Sequence, residues 1–459
     1  MNHPRIAFLP ILTKARELDA RVLLAALLAK RGFRVIVGNK SFVDYRARFA
    51  RNAIYLCPFL VPVAEPRLRA FAERGHRIIG WDEEGLVYPD PNWYFSNRVG
   101  AGPARLCEAL VAWGPASARD WLGTLPAEAP RPLSWGNARI DLLREPYRAL
   151  HREEAESLRR RFGRYVLVNT NFDMVNHHDG RGALLRKMEA SGRVATARDR
   201  ERFADWERFR QTMFDAFLDG LPRLHQAMPD VNFVLRPHPS EDPAVYRVLA
   251  QRLPRLFVHP PEGSVLPWIL GAVATVHNSC TTAVESYMLD VPVIAFDPPG
   301  VGEGAGDAME SPLPNMLSRR VPDWPGVAAA LRELTDGPEA DWITPDQRIV
   351  ARDYIGSIVG PTASERIAQL AVEMAEKMPP SQIGRPGALR RARRAAGALA
   401  EVAGLRTLHS SKDDLRRFPG LPKQEIEALA RRIGMLADVK LRVIAFERDT
   451  YIVEREQGG

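Results

Sequence analysis

The sequence predicts an α/β protein built from two doubly wound domains of parallel strands. Short apolar segments recur along the chain, and most are followed by an amphipathic segment with helical spacing, which is the pattern of βαβ units. The chain has 459 residues, which is more than one ordinary domain contains. Apolar residues make up 46% of it, so it can bury a core in each domain.

The first domain is predicted over residues 1–145. RIAFLPIL and FRVIVG have the apolar character of buried strands, and the helical segment between them, ARELDARVLLAALLAKRG, ends at Gly32. A strand, a helix and a second strand joined by short connections predict a parallel pair. The strand-like segments AIYLCPFL and HRIIGWD continue the series.

The second domain is predicted over residues 163–377. It begins with the strand RYVLVNTNF, which is followed by a polar loop, DMVNHHDGRGALLRKMEASGRVATARDR, and a long helix. The strands VNFVLR, VATVHN and VPVIAFD then alternate with helices. Doubly wound sheets bind ligands at the carboxyl ends of their strands, so two facing domains predict a cleft that can hold two substrates.

A linker is predicted at residues 378–387, because the segment MPPSQIGRPG carries Pro and Gly. Residues 388–459 follow as a small α+β tail domain with a basic helix, the helix KQEIEALARRIG and a hairpin turning at Arg448 and Asp449. The tail is expected to take no part in the chemistry.

Charge, cysteines and motifs exclude several classes of protein. The net charge is +8, but residues 381–459 hold sixteen Lys and Arg against ten Asp and Glu, so the basic character lies mostly in the tail and a nucleic-acid partner is not expected. Three scattered cysteines indicate a cytoplasmic protein and offer no metal knuckle. Membrane spans, a signal peptide and glycine fingerprints for NAD or ATP are missing from the sequence, and no cofactor or metal is expected.

The strongest candidate site follows the strand VNFVLR, where the chain runs Arg236-Pro237-His238-Pro239. The two prolines fix the loop, so His238 is held rigidly at the carboxyl end of a strand. There it can donate to a phosphate or to a leaving-group oxygen, and Arg236 can assist. The alternative is a structural histidine in a proline-rich turn.

A second candidate follows the strand VATVHN, where Ser279, Thr281 and Thr282 open a helix that carries Glu285. Hydroxyls and free amides at a helix N-terminus bind anions, and a carboxylate one turn later can accept from a ribose diol. The alternative is an ordinary helix cap. The two loops are expected to be neighbours that bind a nucleotide, with the segment of residues 262–265, which contains Ser264, contacting the base through its backbone.

These motifs resemble those of GT-B glycosyltransferases of surface-polysaccharide assembly. RPHP followed by S-x-T-x-x-x-E is similar to the capsule-type β-Kdo transferases, the bacterial sialyltransferases and the CDP-glycerol glycerophosphotransferases, which bind a cytidine nucleotide with these two loops. KARELD at 14–19, WDEEGL at 81–86 and WGNARID at 135–141 resemble the surface carbohydrate biosynthesis proteins. The resemblance covers about residues 5–375 as an order of elements.

The resemblance implies a GT-B glycosyltransferase that moves a sugar, such as a Kdo-like ulosonic acid, from a CMP-activated donor to a surface glycan or lipid-linked glycan. It implies a retaining mechanism. Two alternatives stay open: a phosphotransferase using a CDP-linked polyol, and a scaffold of this fold that binds glycan or partner proteins without catalysis.

The acidic run Asp82-Glu83-Glu84 follows the strand HRIIGW and is the candidate for a catalytic base or nucleophile. Three adjacent carboxylates repel one another, so at least one pKa is expected to be raised. The β-Kdo transferases carry Glu-Asp-Gly-Phe here, which places Glu83 and Glu84 at the acidic positions when aligned on Gly85. The alternative is a solvated acidic loop.

Weaker candidates for acceptor or sugar contacts are Lys14, Arg16 and Glu17 after the first strand, and Asn171 after the strand RYVLVN. An exposed first helical turn explains the first three equally well. His177 and His178 suit a solvated polar loop or a mobile lid that contacts acceptor.

The arginines of the tail, Arg385, Arg390, Arg391, Arg393 and Arg394, suit either a solvated helix or peripheral contact with anionic lipid of the inner membrane.

Overall fold

The computed structural model describes residues 5–88, 91–190, 194–260, 262–298, 311–336, 342–384 and 417–456. The chain forms two compact units. The first unit consists of Met1–Gly85, Arg98–Leu142 and Ile355–Gly459, and the second of Leu86–Asn97 and Leu143–Tyr354.

The strands, numbered in chain order, are β1 Arg5–Ile11, β2 Phe33–Asn39, β3 Ala50–Arg51, β4 Ile54–Cys57, β5 Arg77–Gly80, β6 Ala109–Val111, β7 Pro132–Leu133, β8 Tyr165–Asn169, β9 Asn232–Arg236, β10 Leu256–Val258, β11 Ala274–His277, β12 Val293–Phe296, β13 Arg319–Val321, β14 Gln382–Ile383, β15 Leu441–Glu447 and β16 Thr450–Arg455.

The α-helices are α1 Lys14–Lys30, α2 Lys40–Ala47, α3 Glu65–Ala72, α4 Pro91–Arg98, α5 Ala101–Arg105, α6 Pro115–Thr124, α7 Ala138–Asp141, α8 Arg152–Phe162, α9 Ala183–Ala190, α10 Ala197–Ala227, α11 Ala244–Ala250, α12 Leu266–Gly271, α13 Thr282–Met288, α14 Leu313–Met316, α15 Trp324–Asp336, α16 Pro345–Tyr354, α17 Ala363–Glu376 and α18 Lys423–Leu436. Short 3₁₀ helices lie at Pro62–Ala64 and Tyr147–His151.

The first unit is organised around an eight-stranded sheet in the order β15-β16-β2-β1-β4-β5-β6-β7. Six neighbouring strands of this sheet are parallel, as the βαβ pattern predicts: β2, β1, β4, β5, β6 and β7. Helix α1 is buried on almost all sides, with Val22, Leu23, Leu24 and Leu28 fully covered. The extra burial arises because α17 and α18 pack against the helix as well as the sheet.

The structure divides the C-terminal part of the chain differently from the predicted domains 163–377 and 388–459. The hairpin β15–β16 turns where predicted, but β16 pairs antiparallel with β2 and so extends the first sheet. Gly38 has a φ of +149°, and a Cβ there would lie 2.1 Å from the Asp449 carbonyl oxygen, so the hairpin can approach β2 only at a glycine.

The predicted linker also belongs to the first unit, because β14 pairs with β3 and the Ser381 hydroxyl donates to the Asn52 carbonyl at 2.6 Å. Charge periodicity cannot show which sheet edge a C-terminal hairpin will choose. The predicted basic helix with Arg385, Arg390, Arg391, Arg393 and Arg394 lies outside the described residues.

The second unit has a six-stranded parallel sheet in the order β10-β9-β8-β11-β12-β13. The chain leaves β8 toward β9 and β10 on one side, and then crosses to β11, β12 and β13 on the other. The strand order therefore reverses between β8 and β11, and doubly wound sheets bind ligands at that position. The core packs one face of this sheet against α10 and α15 through residues such as Phe217, Phe233 and Trp324.

The predicted polar loop after β8 is partly helical, because it contains α9. Met174, Met188, Val194 and Phe203 form a small core of their own beneath this segment. The segment after β8 is mostly polar, and the apolar spacing within ALLRKM is too short to predict a helix from sequence. Among the described residues, the structure contains no helix long and apolar enough to cross a membrane.

Candidate functional site

The ends of three predicted strands are in register across the second sheet. Asn169 at the end of β8 is in register with Arg236 of β9 on one side and with His277 of β11 on the other. The loops that carry His238 and Ser279 therefore leave the same edge of the sheet. They are not direct neighbours as expected, because the loop after β8 lies between them.

The guanidinium of Arg236 is occupied by the protein itself. Its two terminal nitrogens donate to the carbonyls of Glu262, at 2.8 Å, and of Ser264, at 3.2 Å, and its plane lies over the Trp268 ring. Burial lowers its pKa to about 10. Arg236 thus fixes the 262–264 segment, and the predicted phosphate contact would require it to leave these partners.

His238 sits where the two prolines predict, at the mouth of the loop after β9. Its imidazole is 27% exposed, its Nδ1 accepts from the Ser240 amide at 3.2 Å, and Nδ1 also lies 3.9 Å from Asp173 Oδ2. An accepting Nδ1 places the proton of the neutral ring on Nε2, which can then donate to an incoming oxygen. The ring is thus partly open to solvent at the carboxyl end of β9.

Glu241 organises this loop and was missed in the sequence. Its carboxylate is buried and accepts from the amides of Phe172 and His238, the Thr170 hydroxyl and the Tyr246 hydroxyl. Burial raises its pKa above the ordinary value despite these donors. The residue follows a Pro-Ser turn and looks like an exposed first-turn acid, so only its position three residues after His238 could have drawn attention to it.

The loop after β11 has strained backbone at the predicted serine. Ser279 has a φ of +50°, a left-handed conformation that non-glycine residues rarely adopt and that is often found at functional sites. Thr281 is exposed and makes no capping bond with its own side chain. The Thr282 hydroxyl accepts from Asn169 and donates to the Cys280 sulfur. The Ser279 hydroxyl accepts from the Asn315 side chain at 3.4 Å, so within the described ranges Thr281 is the one of the three whose hydroxyl has no hydrogen bond.

The loop after β8 connects these two loops. The Asn171 amide nitrogen donates to the Ser279 carbonyl at 3.3 Å, and the Asn169 amide nitrogen donates to the Thr282 hydroxyl at 3.1 Å. From the sequence, Asn171 was predicted only as a contact for the glycan acceptor or the sugar. The structure places it beside the nucleotide-binding candidates, at the point where the strand order reverses.

Two buried polar residues beneath the loop after β11 were also missed. His277 accepts from the Cys280 amide through Nδ1 and faces the Ser318 hydroxyl through Nε2, and burial lowers its pKa to about 3, so the ring is neutral. Asn278 is fully buried, and neither polar atom of its amide has a partner within the described part of the chain. An unpaired buried amide costs about 1–3 kcal/mol, and such costs concentrate at binding sites.

The remaining two nucleotide candidates occupy different settings. Glu285 lies in the first turn of α13 and is half-buried. Ser264 accepts from the Leu266 amide through its hydroxyl, so it caps the start of α12, and its carbonyl holds Arg236. Glu285 thus lies in the first helical turn, as the sequence indicated, and the Ser264 side chain has a structural partner.

The acidic run of the first unit is paired with arginines rather than crowded together. Asp82 is fully buried and both its oxygens accept from Arg98, at 2.8 and 3.3 Å. Glu84 is 55% exposed and forms ion pairs with Arg16 and Arg98. Desolvation acts to raise the pKa of Glu84, but Arg98 and Arg16 outweigh it and the pKa is lowered. The pKa of Glu84 is therefore lowered, where crowding of the acidic run was expected to raise one.

Glu83 belongs to a buried network with Glu17 and Arg21. One Arg21 nitrogen lies 2.5 Å from Glu83 and 3.3 Å from Glu17, and the Trp81 indole also donates to Glu83. Burial acts against ionised Glu83, but Arg21 and Arg139 lower its pKa. Burial raises the pKa of Glu17 to about 7, with Glu83 adding to the rise. A raised carboxyl pKa is thus found at Glu17, whereas those of Glu83 and Glu84 are lowered.

The three candidates after the first strand have partners within the first unit; they are Glu17, Lys14 and Arg16. Glu17 accepts from the amides of Leu12 and Thr13 and so closes the turn after β1. Lys14 donates to the Gly420 carbonyl at 2.7 Å and to Glu425 at 2.6 Å, which fastens the C-terminal segment. Arg16 is exposed and pairs with Glu84. Of the three, Arg16 alone has an exposed side chain that could contact a glycan acceptor.

His177, His178 and Asp179 come together in the loop after β8 with geometry that could hold a metal ion. However, the Lys187 ammonium lies 3.2 Å from Asp179 and 3.5 Å from His177, so a cation already balances the cluster. Nδ1 of His178 is 2.8 Å from the Ser240 carbonyl and joins this loop to the one after β9. The predicted lid is thus attached to the His238 loop.

No known family profile matches the sequence, and no curated protein sequence matches it. Solved structures do resemble it. Two structures of the wall teichoic acid polymerase TagF, one of them a histidine variant, align with TM-scores of 0.52 and 0.53 at 12% identity. A third, of a TagF variant with CDPG, has a TM-score of 0.50 at 10% identity. Each alignment covers 81% of this chain and 89% of the other.

The two α/β units, each built mainly on parallel strands, and these likenesses show that the chain has the GT-B fold, as predicted. At 10–12% identity the likeness defines the fold, and the chemistry must be argued from the site.

Proposed function

We propose that the protein is a glycosyltransferase that moves a sugar from a CMP-activated donor to a surface glycan or lipid-linked glycan, with retention of configuration. The donor sugar to test first is a Kdo-like ulosonic acid. His238 would donate to the nucleotide phosphate, Thr281 and the backbone around Ser279 would bind it further, and Glu285 would accept from the ribose. No bound cofactor is needed for this chemistry.

One observation carries the proposal: the loops after β8, β9 and β11 leave a single rung of the second sheet, beside the reversal of strand order. They bring a partly exposed imidazole, an exposed threonine side chain and a strained serine backbone to one edge. The buried unpaired amide of Asn278 adjoins them in sequence. Donors for an anion and acceptors for a diol at this position favour a nucleotide.

A second candidate function is the transfer of a polyol phosphate from a CDP-linked donor. The observation that favours it is the likeness to TagF, one structure of which was solved with CDPG. The same phosphate and ribose contacts would serve both donors. A scaffold that binds nucleotide without turnover is the remaining alternative.

Calorimetry with CMP, CDP, UDP and GDP is expected to show binding of the cytidine nucleotides, and His238→Ala is expected to weaken CMP binding by about 10-fold or more. The loss of one charge-assisted hydrogen bond to phosphate corresponds to about 1.5–3 kcal/mol. Thermal stability should change little, because the ring is partly exposed and its bond with the Ser240 amide is long, at 3.2 Å.

His225→Ala is the matched control. His225 also accepts a backbone amide, from Arg255 at 3.3 Å, but it lies at the end of α10, before β9 begins and therefore at the opposite edge of the sheet. Equal CMP affinity in the His238 variant and the control would sink the assignment of His238. Two assays separate the candidate functions. Release of CMP from a CMP-sugar supports the glycosyltransferase, and transfer of glycerol phosphate from CDP-glycerol supports the phosphotransferase.

We propose further that the C-terminal segment contacts anionic lipid. A groove of about 1170 Å³ lies between α18 and the hairpin β15–β16. Arg431, Lys440 and Arg455 line it, are exposed and have no ion-pair partner among the described residues, and Met435 beside them is 71% exposed. Cations around an exposed apolar side chain suit a headgroup surface.

Reversing the charge at those three cations is expected to abolish binding to vesicles containing phosphatidylglycerol and to leave the weak binding to phosphatidylcholine vesicles unchanged. Each basic residue near an anionic surface contributes about 1 kcal/mol, so the loss should reach about 100-fold. Reversal of Arg160, Arg198 and Arg223, exposed arginines of the second unit, is the control. Equal loss in both triple variants would refute a role for the groove.

A further inference from the structure

Glu241 has an unusual number of donors for a single side chain. Its Oε1 accepts from the Thr170 hydroxyl at 2.9 Å, the Phe172 amide at 3.0 Å and the His238 amide at 3.0 Å. Its Oε2 accepts from the Tyr246 hydroxyl at 2.5 Å and from the Asn176 amide at 3.5 Å. The side chain is only 3% exposed, so water does not compete for these bonds.

The donors to Oε1 come from both sides of the site. Thr170 and Phe172 flank Asn171, whose amide reaches the Ser279 carbonyl, and His238 carries the exposed imidazole. One oxygen atom thus fixes the backbone that holds Asn171 and the backbone that holds His238. The donor to Oε2 that lies closest, Tyr246, belongs to α11 and is buried in the core.

We propose that Glu241 is the positioning residue that sets the loop after β8 and the loop after β9 in one arrangement, so that Asn171 and His238 address the same bound nucleotide. The inference rests on the proposed nucleotide site. It assigns Glu241 no contact with the ligand. Its two oxygens have separate tasks: Oε1 positions the site, and Oε2 anchors the carboxylate to the core.

Other bonds between the loops give the variants a folded background. The His178 amide donates to the Ser240 carbonyl at 3.0 Å, and the Asp242 amide donates to the Asn176 carbonyl at 2.8 Å. These bonds do not involve the Glu241 side chain. The loops should therefore stay attached when Glu241 is replaced, with the strand ends nearest the site losing their common acceptor.

Three variants separate positioning from structural support. Glu241→Ala removes both oxygens and is expected to weaken CMP binding at least 10-fold. Glu241→Gln keeps an acceptor for the Oε1 donors and presents an amide to the Tyr246 hydroxyl, which can accept, so affinity should return to within about threefold of wild type. Tyr246→Phe removes the strongest anchor of Oε2 and should lower the melting temperature with CMP affinity unchanged.

Amide hydrogen exchange reads the positioning without any ligand. Glu241→Ala should speed exchange at Phe172 and His238 together, whereas Tyr246→Phe should leave both slow. Acceleration at one of the two amides alone, or an unchanged CMP affinity in the alanine variant despite faster exchange, overturns the inference. If wild-type protein binds no cytidine nucleotide, the proposed function fails, and unchanged exchange at the two amides in Glu241→Ala would separately refute the positioning role.

Discussion

Replacing Glu84 with Gln is expected to lower turnover about a thousandfold while donor binding stays normal. Glu84 is the one carboxylate of the acidic run with a solvated side chain, at 55% exposure, and Arg16 and Arg98 keep it ionised. Loss of a general base or carboxylate nucleophile typically costs several orders of magnitude in rate, and glutamine preserves size while removing the charge. Single-turnover measurements with the CMP-sugar that supports nucleotide release check this.

Glu83→Gln and Asp82→Asn serve as comparisons, because their carboxylates are buried and already bonded. Removing Glu83 leaves Arg21 with Glu17 as its carboxylate partner, and breaking a buried pair costs about 3–5 kcal/mol. The pKa of Glu17, now about 7, should fall in that variant because the repelling charge is gone. If Glu84→Gln keeps its rate and Glu83→Gln loses it while remaining folded, the catalytic assignment passes to Glu83.

Removal of the chain after residue 378 is expected to unfold the first unit rather than to release a dispensable tail. The deletion takes away β16, which pairs with β2, and α18, which covers α1. It also removes Glu425 and the Gly420 carbonyl, the partners of Lys14. The exposed edge and the uncovered apolar helix should produce aggregation or a large loss of melting temperature.

Calorimetry of the truncated protein decides the matter. We expect one unfolding transition, from the second unit, to survive near its original temperature, because residues 143–354 hold a complete sheet of their own. Deletion of residues 385–416 alone is the matched control. Two intact transitions after removal of residues 379–459 would show that the first unit stands without the hairpin.

The strands of four or more residues in both sheets and the fold class could be predicted from sequence, because buried parallel strands are apolar runs with few alternatives, whereas the shorter strands β6, β7 and β13 were missed. RYVLVNTNF, VNFVLR, VATVHN and VPVIAFD contain the strands of the second sheet that carry the site. The placement of His238 follows from two prolines and a strand end. These features are local, and local features can be read directly from a sequence.

The order of the strands and the partners of charged residues could not be predicted. The crossover connections of the sheet determine that β8 lies between β9 and β11. Because of this strand order, Asn171, which follows β8, lies beside Ser279 in the candidate site. Thr170 and Phe172 lie 71 and 69 residues before Glu241, and Arg21 lies 62 residues before Glu83. Patterns of charge in one segment do not show which distant residue neutralises them.

The hairpin β15–β16 also has a consequence for how the protein is made. Arg34 of β2 and Glu454 of β16 form an ion pair although they are 420 residues apart in the chain. At a synthesis rate of about 5–20 residues per second, β2 leaves the ribosome roughly 20–80 s before its partner strand exists. All of the second unit emerges within that interval, so the unit encoded in the middle can fold before the one that begins the chain. The nascent first unit must wait with an open strand edge, which makes it the part of the molecule that a chaperone would hold.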